Sequence, residues 1–147
     1  MIRPALFVGL GTTGAKILQH LRRLMFEEFQ TGGLPIFRYV VLETDEQRAG
    51  HDPDLGLLDS APSYERIHMV HATIPTTAPL KQHLNSAHPL YDPSLHDWLN
   101  PAILDWGDRS FRVGAKNMRM AGRLCFWHNW PSLAESLNTH LDAARSP

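Results

Sequence analysis

Ala5-Leu6-Phe7-Val8-Gly9-Leu10-Gly11-Thr12-Thr13-Gly14-Ala15-Lys16 is the segment from which the architecture can be read outward. Four consecutive apolar residues, Ala5 to Val8, run into Gly9, the pattern of a parallel strand buried on both faces. Gly9, Gly11 and Gly14 then make a GxGxxG turn at the opening of a helix. Glycines let the backbone turn tightly and approach an anion, and the N–H groups at a helix start, together with its dipole, attract that anion. Thr12 and Thr13 add hydroxyl donors. The strand–turn–helix context gives a GxGxxG its meaning, so the segment reads as a phosphate-binding turn, with a ligand-free βα turn as the alternative. Lys16 lacks the GxxxxGK[ST] spacing of a P-loop and shares a polar face with Gln19 and Arg23, which marks it as a solvated lysine.

Downstream, the spacing of Ile17, Leu18, Leu21, Leu24, Met25 and Phe29 predicts one amphipathic helix from Thr13 to Gln30. Thr31, Gly32, Gly33 and Pro35 supply a glycine to close it in the left-handed conformation and a proline to stop it. Ile36 to Leu42 is rich in β-branched and aromatic residues and reads as a second strand, parallel to the first. It delivers Glu43-Thr44-Asp45-Glu46-Gln47 to the same sheet edge as the glycine turn. Glu43 could serve a ribose as in a dinucleotide fingerprint, although it lies farther from Gly14 than the usual separation of about 20 residues. A plain strand-ending turn, with Asp45 capping a short helix, is the alternative.

The stretch from His51 to Tyr64 reads as a surface loop, and Ile67 to His71 as a third short strand. Pro75, Pro79, Pro89, Pro93 and Pro101 then leave room only for short helices, near Leu80 to Ser86 and Ser94 to Trp106. Beyond Gly114 a helix carrying Met118, Ala121, Leu124 and Cys125 is expected to break at Asn129 and Pro131. Ser132 and Glu135 have capping-box spacing for a last helix striped by Leu133, Leu137 and Leu141. The expected core holds Phe7, Val8, Ile17, Leu21, Leu24, Val40, Val41, Leu124 and Leu137. Trp98, Trp106, Trp127 and Trp130 serve as core anchors or, where sheet or helix surface is left uncovered, as exposed interaction groups.

The chain has 147 residues, 43% hydrophobic, with 14 Lys+Arg against 15 Asp+Glu, enough for a single domain with a real core. A net charge of -1 without clustered basic residues argues against nucleic acid and membrane surfaces as partners. No apolar run approaches the length of a membrane span or signal core, so a cytoplasmic protein is expected. The single cysteine, Cys125, fits a reducing compartment and reads as a small core residue. His88, Asp92 and His96 have a spacing that would suit a metal on one helix, but Pro89 and Pro93 break that helix, and no metal site is assigned.

Three segments in order, GLGTTGAKIL, the ETDEQ after the second strand, and Gly114-Ala115-Lys116-Asn117-Met118-Arg119-Met120-Ala121-Gly122-Arg123, resemble the tubulin/FtsZ superfamily, most closely its large bacterial tubulin-like proteins. The resemblance covers about residues 3 to 50 and 112 to 143. It implies that Gly11, Thr12, Thr13 and Gly14 face the nucleotide phosphates, that Thr44, Asp45 and Gln47 flank the nucleotide, and that Gly114, Ala115 and Asn117 lie near the γ-phosphate. Lys116 stands where the family has a second glycine, and the family's later GGGTGTG-like phosphate loop does not occur in this sequence.

The expected fold is therefore α/β, a Rossmann-like, mostly parallel three-layer sheet equivalent to the first half of a tubulin/FtsZ-type GTPase domain. Residues 1–147 are read as one nucleotide-binding domain, incomplete relative to that family. By resemblance its ligand is GTP or GDP with Mg²⁺, without independent hydrolysis, and it associates with itself or with a longer tubulin-like partner. Two alternatives stand beside it. One is a NAD(P)-binding Rossmann module of an oxidoreductase, using Gly9, Gly11, Gly14 and Glu43. The other is a non-catalytic interaction module derived from a tubulin-like protein.

Overall fold

The computed structural model describes residues 3–45, 64, 66–105, 111 and 118–146. Strands β1 (Ala5–Leu10), β2 (Phe37–Glu43) and β3 (Ile67–His71) form a parallel sheet in the order β1-β2-β3. Leu10 pairs with Leu42, and Glu43 with His71, so all three strands finish at one carboxyl edge. Helix α1 (Gly11–Phe29) follows β1 without a linker, and α2 (Arg119–Arg145) comes last. Between β3 and α2 lie short 3-10 helices at Ala78–Leu84, Pro93–Asp97 and Pro101–Asp105, the lengths that the prolines permit.

Side chains alternate across a strand, and each face of the sheet has its own cover. Tyr39, Val41 and Ile67 pack with Leu18, Ala15 and Leu21 of α1. On the other face Val40, Leu42 and Val70 pack with Leu124, Cys125, Leu133 and Leu137 of α2 and with Leu80, Leu95 and Ile103 of the 3-10 helices. The result is a three-layer α/β fold. Phe7 stacks on Tyr39 and meets Phe37 edge-on, each at 5.3 Å between ring centroids. Aromatic pairs of this kind contribute about 0.5–1.5 kcal/mol beyond their buried area.

Several expectations are corrected. The first helix begins two residues before Thr13, inside the glycine turn, and the residue that closes it in the left-handed conformation is Gln30 (φ 58°), not a glycine. Val8, Ile17 and Leu24 are not core: they are 43%, 62% and 48% exposed. Among the described strands β1 lies at the sheet edge: Leu6 and Phe7 reach the clusters on the two faces, while Val8 stays open to solvent. The inner face of α1 is carried by Leu18, Leu21 and the buried Arg22, whose guanidinium lies 5.9 Å from the Tyr39 ring centroid.

The expected break at Asn129 and Pro131 is absent: α2 runs through Pro131 as one helix. Proline removes an N–H and crowds the preceding turn, but the side chains around it supply new bonds. Asn129 donates to the Cys125 carbonyl (2.8 Å) and to Thr73 O (3.0 Å), while the Ser132 hydroxyl donates to Asn129 O (2.9 Å). Ser132 thus stabilises the interior of a helix and does not cap a new one. The short helices expected near Leu80 to Ser86 and Ser94 to Trp106 are present as the 3-10 helices Ala78–Leu84, Pro93–Asp97 and Pro101–Asp105, and Trp106 lies outside the described residues. Among the described residues no helix is long and apolar enough to cross a membrane.

Candidate functional site

The glycine turn is built by close approach of two backbones. A β-carbon placed on Gly14 would lie 2.5 Å from the Gly9 carbonyl carbon, and one on Gly9 would lie 2.7 Å from that of Gly14. Neither contact is tolerated by any other residue, so the first turn of α1 presses directly on the end of β1. Gly11 has φ +61°, a conformation other residues rarely adopt, and a β-carbon there would meet nothing within 4 Å. One glycine pair joins strand to helix, and the third glycine faces open space.

Leu10 occupies the N-cap position and its side chain makes no cap bond; the first turn of α1 also carries no acidic residue. The leading N–H groups of an α-helix have no intrahelical acceptor, and their dipoles sum to a partial positive charge. Gly11 to Gly14 therefore present a cationic backbone terminus at the carboxyl edge. The Thr13 side chain is exposed beside it, as is Lys16 one turn on. Ligands of open parallel sheets bind outside the carboxyl ends of the strands, where this terminus sits.

Thr44 and Asp45 leave β2 at the same edge and are half-buried. Their backbone N–H groups donate to Glu43 Oε1 at 2.8 and 3.1 Å, so the buried carboxylate of Glu43 braces its own turn. That use of the carboxylate differs from the ribose contact of the dinucleotide reading. The ladder continues one step further through Ala72 N donating to Glu43 O (2.8 Å). His71, opposite Glu43, was singled out by nothing in the sequence beyond its place in the third strand. Its Nδ1 is buried without a hydrogen-bond partner among the described residues.

The direction of α2 follows from two bonds. Arg38, at the start of β2, donates to Ala143 O (2.7 Å), while Asn129 reaches Thr73 just past the end of β3. The helix therefore runs antiparallel to the strands, with its N-terminal end on the carboxyl-edge side. Gly114, Ala115, Lys116 and Asn117, which precede that end in sequence, lie outside the described residues, as does Gln47. Of the sequence-derived site residues, the structure brings Gly9, Gly11, Thr12, Thr13, Gly14, Thr44 and Asp45 to one edge.

Other reactive groups serve the fold. Cys125 is fully buried, and desolvation pushes its thiol up to about 12, which leaves it protonated and inert. Asp92 accepts from Ser94 N (2.9 Å) and Ser94 Oγ (2.7 Å), bonds that hold its carboxyl below the usual range. His88 accepts from Leu90 N at 3.2 Å.

Compared with known protein families, residues 6–146 match the one described as tubulin-like, nearly the whole of the chain. No curated protein and no solved structure matches it.

Proposed function

This chain belongs to the tubulin-like family, and from that membership together with the carboxyl-edge geometry we propose that it binds a guanine nucleotide by its phosphates. The observation that carries the reading is the acid-free first turn of α1, with a non-capping Leu10 before it, pressed against β1 through Gly9 and Gly14. Its backbone N–H groups supply the donors, and Gly11 leaves the space a phosphate oxygen needs. Thr44 and Asp45 flank the nucleotide. GTP or GDP with Mg²⁺ is the ligand class that family membership supports; the phosphate chemistry rests on the backbone.

The function is binding without independent hydrolysis. Glu43 is committed to its own backbone turn, and no catalytic group is assigned among the described residues. Residence in the cytoplasm accompanies this reading. A second reading, self-association or docking of a longer tubulin-like chain, is favoured by one observation: Val8, Leu10, Ile17 and Leu24 leave the β1–α1 flank apolar and exposed. Sedimentation of the chain with and without nucleotide tests it, a concentration-independent monomer being the opposing result.

Thermal unfolding with GTP, GDP, ATP or NAD, each with Mg²⁺, tests the primary reading. A ligand at about a hundred times its dissociation constant adds roughly 2.7 kcal/mol of apparent stability. A rise with GTP or GDP and none with NAD is expected. A rise with NAD alone, or with no nucleotide, overturns it.

A further inference from the structure

Between the 3-10 helix Ala78–Leu84 and α2 lies an open groove of about 650 Å³. His83 of the 3-10 helix Ala78–Leu84 forms one wall, and Arg123, Phe126, Trp127, Trp130 and Pro131 of α2 form the other. Arg119, Arg123, Trp127 and Trp130 follow one another at spacings of four, four and three, which aligns them along one helix face. The stripe places two cations beside two indoles.

The walls are organised in advance. The Arg123 guanidinium lies 4.3 Å from the Trp98 ring centroid, and the His83 ring meets Trp127 edge-on at 5.1 Å. Trp130 is nonetheless 59% exposed, an indole held at the surface by a continuous helix. Trp and Arg are the residue types that concentrate binding energy at protein–protein contacts.

Charge narrows the occupant. From Arg119 to Ala134, α2 has two arginines and no Asp or Glu. The positive end of the helix dipole adds to them. Among the described residues the groove lining contains no carboxylate. Desolvation and the neighbouring His83 lower the His128 pKa, which keeps that ring neutral near pH 7 and leaves the arginines as the charged groups of the stripe. The carboxylate beside the groove, Asp92, is turned to Ser94 and Trp127.

We propose that this groove docks an acidic segment of a partner polypeptide, with an apolar side chain seated between Trp127 and Trp130 and carboxylates on Arg119 and Arg123. Two arginines make too small a basic patch for a polyanionic nucleic-acid strand, the other ligand that stacks on Trp and pairs with Arg. The proposal does not rest on nucleotide binding, which is assigned to the glycine turn and the exit of β2.

Selection of a random 12-residue peptide library on the intact chain tests it, with the double variant R123E/W130A as the counter-target. Both side chains are exposed, and an unchanged unfolding midpoint establishes that the variant is folded. The expected result is a pool rich in Asp and Glu around an aromatic or large aliphatic residue. Its members should bind at least tenfold more weakly to Arg123→Glu and to Trp130→Ala, and more weakly in raised salt. A pool with no acidic excess, equal binding to the variants, or Trp130-dependent binding of a single-stranded oligonucleotide in place of peptide overturns the proposal.

Discussion

Thr13→Asp separates a phosphate-binding helix terminus from an ordinary βα turn, because the two assign opposite consequences to the same charge. With Leu10 as N-cap, Thr13 is the third residue of α1, exposed, in a turn that carries no acidic side chain. A carboxylate there complements the helix dipole and stabilises the free protein by about 0.3–1 kcal/mol. At about 2–4 °C per kcal/mol for a chain near this size, the midpoint rises by roughly one to four degrees. The same carboxylate some 5 Å from a bound phosphate repels each unit of its charge by about 0.8 kcal/mol in bulk dielectric and about 3 kcal/mol at an effective constant of 20. Guanine-nucleotide affinity should therefore fall between about fourfold and a few hundredfold while the apoprotein becomes more stable. Scanning fluorimetry reads the stability, calorimetric titration with GDP reads the affinity, and Thr13→Asn controls for loss of the hydroxyl. A variant that keeps the wild-type nucleotide response, or one destabilised without ligand, refutes the assignment of this terminus as the phosphate site.

Gly14→Ala forces a β-carbon to within 2.5 Å of the Gly9 backbone, so urea unfolding should show a loss of about 2 kcal/mol or more; a neutral result would mean the two backbones do not touch. Gln30→Gly relieves a left-handed residue at the end of α1 and should stabilise by roughly 0.5–1 kcal/mol, less the contribution of its side-chain bond to Phe26 O. His140, pressed at 4.5 Å against His68 and near Arg38, has its pKa lowered by desolvation first and by those two groups next. A depressed folded pKa means that the unfolded chain binds the proton more readily. This contribution to stability is therefore complete above the ordinary value of 6.5 and is lost as pH falls from there through the folded pKa. Denaturant midpoints across pH 5–8 should decline on the acid side, and His140→Gln should flatten that decline.

What was legible in the sequence was local. The apolar run into Gly9 announces itself because a parallel strand with cores on both faces needs consecutive apolar residues, and only glycine fits the β1–α1 contact. The orientation of α1 was not legible, because its apolar residues surround more of the helix than one face can bury. Ile17 and Leu24 compete with Leu18 and Leu21, and the buried Arg22 looks like a surface residue until Tyr39 is placed beneath it. Pro131 misled for a related reason: the bonds that carry α2 past it come from the Asn129 and Ser132 side chains, one of which also reaches Thr73 in a distant segment. Of the candidate site, the glycine turn and the exit of β2 could be read, whereas His71 could not, since its significance lies in being opposite Glu43.

The topology explains why the anion-attracting groups gather at one edge. Strands running in parallel all end on the same side, so a helix returning from such a strand must start there, with the positive end of its dipole at the sheet's carboxyl edge. Helix α1 does so immediately, with Gly11 already helical. Helix α2, on the opposite face and arriving through a long proline-divided connection, is brought into the same antiparallel sense by Arg38 at one end and Asn129 near its middle. Two positive helix ends thus lie on the carboxyl-edge side, one from each outer layer. Burying a carboxylate between them would be favourable only if it were hydrogen-bonded, and Glu43 meets that condition through the Thr44 and Asp45 N–H groups. With that carboxylate held by its own turn, the positive helix ends face the space outside the edge, the place where the proposed phosphates would sit.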